Sequence, residues 1–170
     1  MKGTKSPLFL YFILRFKMDQ TKVTDLVNEA LALNESLYLI DLSISENNKI
    51  KVTIDGDKGV PLSECIRVSR NVEHNFDREE EDFSLEVSTP DISNPLKVKR
   101  QYIKNLNRIL KVKTSDQDME GILVEADEDK IVLNWKAREP KPIGKGKVTV
   151  QKTATIPYKD IKEAKVKIVF

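Results

Sequence analysis

The chain's 170 residues, 39% hydrophobic and 33% charged, suffice for one medium domain or two small ones and are too apolar for a disordered segment. A single cysteine excludes a disulfide framework and fits a reducing cytosol, and no run approaches the roughly 20 apolar residues that span a bilayer. The net charge of +2 conceals an asymmetry: residues 1–17 carry +4, residues 18–96 hold 7 Lys+Arg against 17 Asp+Glu (−10), and residues 97–170 hold 18 against 10 (+8). A basic half can rest on a phosphate backbone that repels an acidic one. The same numbers also describe two solvated surfaces of unequal charge.

Residues 1–17 stand apart. The apolar run Leu8–Leu14 with basic flanks imitates a secretory signal, but Arg15, Phe16 and Lys17 follow where small residues would be cleaved. The segment reads as a non-native N-terminal extension, with Met18 as the natural start. Residues 19–33 then read as a helix, with Val23, Leu26, Val27, Ala30 and Leu31 at helical spacing and Asp19 or Thr21 able to cap it. Leu37–Ser45 reads as a strand whose Tyr38, Ile40, Leu42 and Ile44 share a face. The turn Glu46-Asn47-Asn48 leads into a second strand with Ile50, Val52 and Ile54, ended by the loop Asp55–Gly59. A helix over Pro61–Phe76 buries a stripe of Leu62, Ile66, Ser69, Val72 and Phe76, with Cys65 and Val68 beside it. The acidic run Glu79–Asp82 is a solvated loop, and Phe83, Leu85 and Val87 form a third strand.

Residues 91–97, with prolines at 90 and 95, read as a stiff linker. Beyond it the texture changes to short strands: Leu110 and Val112, the hairpin Gly121–Ala126 and Lys130–Trp135 around Asp127-Glu128-Asp129, Val148 and Val150, and a last strand at Val166 and Ile168. Residues 137–146, rich in Pro, Gly and Lys, read as a mobile loop, and Pro157–Ile161 as a helical turn. The fold class is therefore α+β: an acidic α-β-β-α-β domain over 18–90, then a basic small β-barrel over 98–170.

Little here suggests catalysis. His74 is the only histidine and has no cysteine pair with which to bind zinc; Cys65 packs inside its helix. There is no phosphate loop, dinucleotide fingerprint or nucleophile elbow. An enzyme using Asp55, Asp57 and Glu86 as acids has nothing to position them. The basic residues are more suggestive. Lys97, Lys99, Arg100, Lys104, Arg108, Lys111 and Lys113 gather at the entry to the second domain, and Lys136, Arg138, Lys141, Lys145, Lys147 and Lys152 around its long loop. They can neutralise phosphates but have no interleaved aromatics to stack bases.

The stretch Leu85-Glu86-Val87-Ser88-Thr89-Pro90-Asp91-Ile92-Ser93-Asn94-Pro95-Leu96 resembles the signature of the RimP family of ribosome maturation factors. That family usually has Glu-Val-Ser-Ser-Pro-Gly, a hydrophobe, then Asp-Arg-Pro-Leu. Glu86, Val87, Ser88, Pro90, Pro95 and Leu96 match; Thr89, Asp91, Ser93 and Asn94 depart. Asp91 in place of glycine implies either a positive φ or a different turn. Val52–Asp55, Gly59–Cys65, Val68-Ser69-Arg70, Phe76-Asp77, Gly121, Ile161 and Ala164 extend the resemblance over residues 19–168.

The resemblance implies an SH3-like (Sm-like) barrel as second domain, and a cytoplasmic, monomeric, non-catalytic protein with no cofactor and no membrane partner. It implies binding to the immature small ribosomal subunit, through small-subunit rRNA and a basic ribosomal protein of the decoding region. On this reading the rRNA contacts come from Lys97, Lys99, Arg100, Lys104, Arg108, Lys136, Arg138, Lys141, Lys145, Lys147 and Lys152, and the protein contacts from Glu73, Asp77, Asp55 and Asp57. A free-standing Sm-like RNA-binding regulator is the alternative. A chain begun at Met18 is expected to fold and melt as the full chain does; comparing soluble yield and thermal melting checks this, and an insoluble shorter chain would sink it.

Overall fold

The structure, a computed structural model, describes residues 18–170; the expectation that residues 1–17 are a non-native extension lies outside them. The chain divides into two compact units, one ending at Pro90 and the other beginning at Asp91. Together they give a mixed α+β protein in which the described residues form two separate sheets.

In the first unit, α1 (Gln20–Ala32) starts where the Asp19 carboxylate accepts from the backbone N–H groups of Thr21 and Lys22 at 2.9 and 3.4 Å, satisfying donors that a helix start leaves unpaired. Strands β1 (Leu37–Ile44) and β2 (Lys49–Gly56) pair antiparallel, and β3 (Ser84–Ser88) pairs parallel to β2 after the crossover helix α2 (Leu62–Glu73). Val23, Val27, Ala30 and Leu31 of α1 and Cys65, Val68 and Val72 of α2 share one core with Ile50, Val52 and Ile54.

Three local readings are corrected here. A β-bulge between Leu39 and Asp41 puts the core face of β1 on Leu37 and Leu39 before it and on Leu42 and Ile44 after it. An unbroken alternation cannot contain this, because one extra residue reverses the phase of a strand. The buried stripe of α2 runs Cys65–Val68–Val72, while Leu62 is 75% and Ile66 41% exposed. Finally, β2 continues through Asp55 and Gly56, which the sequence pattern placed in a loop.

The second unit opens with a helix that the sequence pattern did not reveal, α3 (Lys99–Lys104). Five strands follow: β4 (Ile109–Thr114), β5 (Asp118–Ala126), β6 (Lys130–Pro140), β7 (Lys147–Pro157) and, after a 3-10 turn at Tyr158–Asp160, β8 (Ile161–Val166). They form one antiparallel sheet in the order β7-β6-β5-β4-β8. Flat, five strands would span ~19 Å, but the two edge strands β7 and β8 are joined by three residues, a reach of at most ~14 Å. The sheet must therefore curl. No ladder joins β7 to β8 among the described residues, so backbone hydrogen bonds do not close it into the expected barrel. The last strand also begins earlier than expected, at Ile161, and ends before Ile168.

The curl is concentrated in β5. Asp118–Gly121 pair with β4 only, Leu123–Ala126 with β6 only, and Ile122 with both; a bulge lies between Leu123 and Glu125. At the hand-over the backbone of β6 crosses so close that a β-carbon on Gly121 would stand 2.9 Å from the carbonyl oxygen of Asn134. Residues 137–146 are not a loop as expected: β6 and β7 pair continuously from Lys130↔Pro157 to Pro140↔Lys147, and only residues 141–146 turn. Gly144 and Gly146, at φ 88° and 109°, supply the left-handed positions of that turn.

Gly121→Ala should lower stability by about 1–3 kcal/mol, because the obstructing atoms are backbone and cannot swing away. Denaturant unfolding followed by the fluorescence of Trp135, the chain's only tryptophan, reads this directly; an unchanged midpoint would refute it.

Candidate nucleic-acid interface

Most basic residues of the second unit fall into three settings. The first is the α3 region. Tyr102 is buried and meets Tyr158 edge to face at 5.2 Å, which seats the helix on the core cluster of Leu110, Val112, Leu123, Ile131, Leu133 and Ile156. The side chain of Gln101 turns back to accept from the N–H groups of Lys97 and Val98 at 2.6 and 3.1 Å, closing the helix start. Lys99 donates to the backbone carbonyl of Glu128, lies 3.7 Å from that residue's carboxylate, and stands 5.5 Å from the centre of the Tyr158 ring. It ties α3 to the β5–β6 turn. That turn is held by Asp127, whose carboxylate accepts from the N–H groups of Asp129 and Lys130, both at 2.8 Å. These bonds hold it below the usual carboxylate range. Arg108 donates to Asn105 at 3.4 Å, and Lys97, Arg100 and Lys104 are engaged as well. Of this cluster, Lys99 and Arg108 are thus bonded to neighbouring parts of the second unit.

The second setting is the outer face of β4, β5 and β8. Here lysines are matched by acids: Lys113 and Lys165 both lie 3.5 Å from Glu163, and Lys167 pairs with Glu120. Lys111 faces Glu120 and Lys165 in register.

The third setting is the distal part of the β6–β7 hairpin. From Trp135 onward β6 has no partner but β7, because β5 pairs with it only over Ile131–Asn134. Six residue pairs project as a two-stranded arm of about 20 Å. Lys136, Arg138 and Lys147 point to one face, and Lys141 and Lys145 sit in its turn. Lys152 lies on the opposite face, paired with Glu139. Among the described residues no ion pair holds Lys136, Arg138, Lys141, Lys145 or Lys147. The polar companions Asn134, Thr149, Gln151 and Thr153 were missed from the sequence. Their signal was the alternation of polar residues at 147, 149, 151, 153 and 155.

The acidic candidates of the first unit are less uniform than their sequence suggests. Asp55 is 7% exposed and accepts from the Tyr38 hydroxyl at 3.3 Å and the Gly56 N–H at 2.8 Å, so it braces the end of β2 rather than facing a partner. Glu73 pairs with Arg78 at 2.7 Å. Asp77 is exposed and shapes a turn by accepting from the Glu79 N–H at 2.8 Å. Asp57 is exposed, and its backbone N–H donates to the carbonyl of Ser36. Cys65 is buried, and burial pushes its thiol up. Among the described residues no group of three or more His, Cys, Asp or Glu could hold a metal ion, and no helix is long and apolar enough to cross a membrane.

A family model described as the RimP N-terminal domain matches residues 26–93, from within α1 to just past β3. A protein of Christiangramia forsetii named ribosome maturation factor RimP is 56% identical over 153 residues, covering 90% of this chain and all of that one. Proteins of the same name from Flavobacterium psychrophilum and Porphyromonas gingivalis are 50% and 33% identical over 149 residues, covering 88% and 86% of this chain and 97% of each relative. The chain belongs to the RimP family.

The loop after β3, where this chain departs from the usual RimP signature, is now explained. Among the described residues only Asn48 and Asn107 are non-glycine positions with positive φ, so Asp91 does not imitate the usual glycine. Its carboxylate instead accepts from the N–H and hydroxyl of Ser93 at 2.8 and 2.6 Å, and its carbonyl from the Asn94 N–H at 3.0 Å. Asp91 and Ser93 thus hold this turn through their side chains, while Asn94 contributes only a backbone N–H, as any non-proline residue would.

Burial pushes the Tyr102 hydroxyl up to about 12, with Tyr158 beside it adding to the shift. The unfolded chain releases this proton near pH 10, so the stabilisation it brings is complete below pH 10 and is lost as pH rises from there to about 12. Tyr102→Phe should therefore lose less stability than the parent across that window. Parallel denaturation curves at pH 9 and 11 test this, and equal losses would refute it.

Proposed function

We propose that this protein is a ribosome maturation factor of the cytoplasm. It acts on the small (30S) subunit as a non-catalytic, monomeric chaperone. The single observation that carries the maturation role is family membership over nine-tenths of the chain, through relatives named ribosome maturation factor. The charge division supports a division of labour. The basic second unit, read as an SH3-like barrel, contacts small-subunit rRNA. The acidic first unit faces a basic ribosomal protein of the decoding region, because a −10 surface laid on rRNA would be repelled.

Of the acidic candidates, Glu73, Asp77 and Asp57 remain in this reading; Asp55 does not. The arm favours a polyanionic partner, since among the described residues no ion pair holds its exposed cations Lys136, Arg138, Lys141, Lys145 and Lys147. The non-catalytic reading is supported by the contacts of the acids: Asp55 accepts from Tyr38, and Glu86 lies 3.7 Å from Lys49 on the sheet surface.

The test is sedimentation of tagged full-length protein with ribosomal particles from growing cells. Association with immature small subunits and little with mature subunits is expected. Recovery only in the light fractions would overturn the proposal in favour of a free-standing RNA-binding regulator. Within it, Glu73→Lys with Asp77→Lys should weaken subunit binding severalfold while leaving affinity for bare RNA unchanged or increased. Loss of bare-RNA binding in that variant would contradict the division of labour.

A further inference from the structure

We infer that the outer face of the β6–β7 arm, and not its inner face, grips the sugar–phosphate backbone of double-stranded RNA. The inference rests on the reading of the chain as an RNA-contacting maturation factor and specifies which surface makes the contact and to what.

The arm separates its charges by strand parity. Along β6 the outer positions are Asn134, Lys136, Arg138 and Pro140; opposite them in register on β7 are Thr153, Gln151, Thr149 and Lys147. Every outer residue of this set is cationic, neutral polar or proline, and none is a carboxylate. Each cation faces a neutral residue across the ladder: Lys136 faces Gln151, Arg138 faces Thr149, Lys147 faces Pro140. Like charges placed directly opposite would destabilise a ribbon that has no third strand. The spacing thus lets the arm carry its cations without loss of pairing.

The inner face is built otherwise. Trp135 and Ala154 pack against the core at the root, and further out Val148 and Val150 lie with the paired Glu139 and Lys152. Cations held by carboxylates release few counterions on meeting a polyanion, whereas unpaired ones do. The contrast with the outer face of β4, β5 and β8 sharpens the point. There the lysines are matched by Glu163 and Glu120, so carboxylate depletion is a property of the arm and not of the whole basic unit.

The chemistry of the face selects a duplex. Unstacked bases are held on aromatic rings, and this face has none; Trp135, the only aromatic of the arm, belongs to the inner parity. Double-stranded RNA is recognised through phosphates and 2′-hydroxyls. Lys136, Arg138 and Lys147, flanked by hydroxyl and amide groups, supply the donors for both. The threonine hydroxyl of Thr153 already donates to the Asn134 side chain at 2.8 Å, which fixes the orientation of that amide.

The experiment uses the full chain with a blunt RNA duplex of about 16 base pairs and a single strand of the same length, measuring affinity against salt. The duplex should bind more tightly than the single strand. The outer-face variant Lys136→Gln/Arg138→Gln/Lys147→Gln should bind the duplex at least ~10-fold more weakly at low salt. Its log–log salt slope should fall by about 2–3, one unit for each phosphate no longer neutralised. Arg138→Gln alone should lower the slope by about one, and Lys152→Gln, equal in charge change but on the inner face, should shift affinity less than ~2-fold. Circular dichroism melts of all variants should match the parent, since every substituted side chain lies outside the core.

Equal loss from Lys152→Gln and Arg138→Gln overturns the face assignment, and a single strand bound more tightly than the duplex overturns the choice of partner. Neither outcome touches the maturation role. If the parent binds neither RNA yet sediments with immature subunits, this inference fails and the proposed function stands. If it also fails to sediment with them, the proposed function itself fails.

Discussion

The second unit depends on one steric allowance. At Gly121 the backbone of β6 comes within 2.9 Å of where a β-carbon would be, and only glycine tolerates that approach. Because β6 can lie so close there, β5 can bend and trade one partner strand for another within its length. Two consequences follow from the same bend. The sheet curls enough for three residues to connect its two edges. And β6, released by β5 after Asn134, continues with β7 as a free ribbon. The curl that makes a core for nine buried residues and the ribbon that carries unpaired cations are products of one backbone crossing.

Charge is used differently in the two units. In the first, several carboxylates serve the fold before they can serve a partner: Asp19 caps α1, Asp55 braces Tyr38 and the end of β2, and Asp77 closes a turn. Of these three only Asp55 is buried, so Asp19 and Asp77 keep their charge at the surface while they shape the backbone. In the second, Lys99 holds α3 to the β5–β6 turn and most sheet lysines have acidic neighbours. The +8 total is concentrated in effect on the arm, where residues 136–152 carry six Lys+Arg against the single Glu139.

Elements with one buried face were legible in the sequence. Val23, Val27, Ala30 and Leu31 mark α1, and Ile50, Val52 and Ile54 mark β2, because burial imposes the period that sequence displays. The arm was not legible for the opposite reason. Lys136-Ala137-Arg138-Glu139-Pro140 buries neither face fully, so its strand character comes from the backbone ladder, which leaves no hydrophobic alternation. Short α3 was hidden among cations; its anchors are Tyr102 and the side chain of Gln101, two residues with no periodic partner. In α2 the pattern was present but its phase was misread, since Leu62 and Ile66 are apolar and yet outward, and apolar residues on a surface are common. The bulge in β1 left no mark at all in residue type. Of the candidate site, the cations were all visible, but which of them the fold consumes was not, because that depends on acids as distant as Glu139 from Lys152 and Glu163 from Lys113.

A two-stranded ribbon fastened at one end behaves as a lever. Its root is clamped between β5 and the core, while its outer six residue pairs resist bending only through their own ladder. Small torsions near Trp135 are magnified along its length into sideways travel of Lys141 and Lys145 at the tip. The turn there holds two glycines at positive φ and is closed by one backbone hydrogen bond, from the Lys141 N–H to the Gly146 carbonyl at 3.1 Å. On the proposed reading, such a lever would widen the radius within which the arm first meets a polyanion. It also lets the tip follow an irregular target while the folded body keeps its place, so that first engagement is governed by reach more than by alignment of the whole unit.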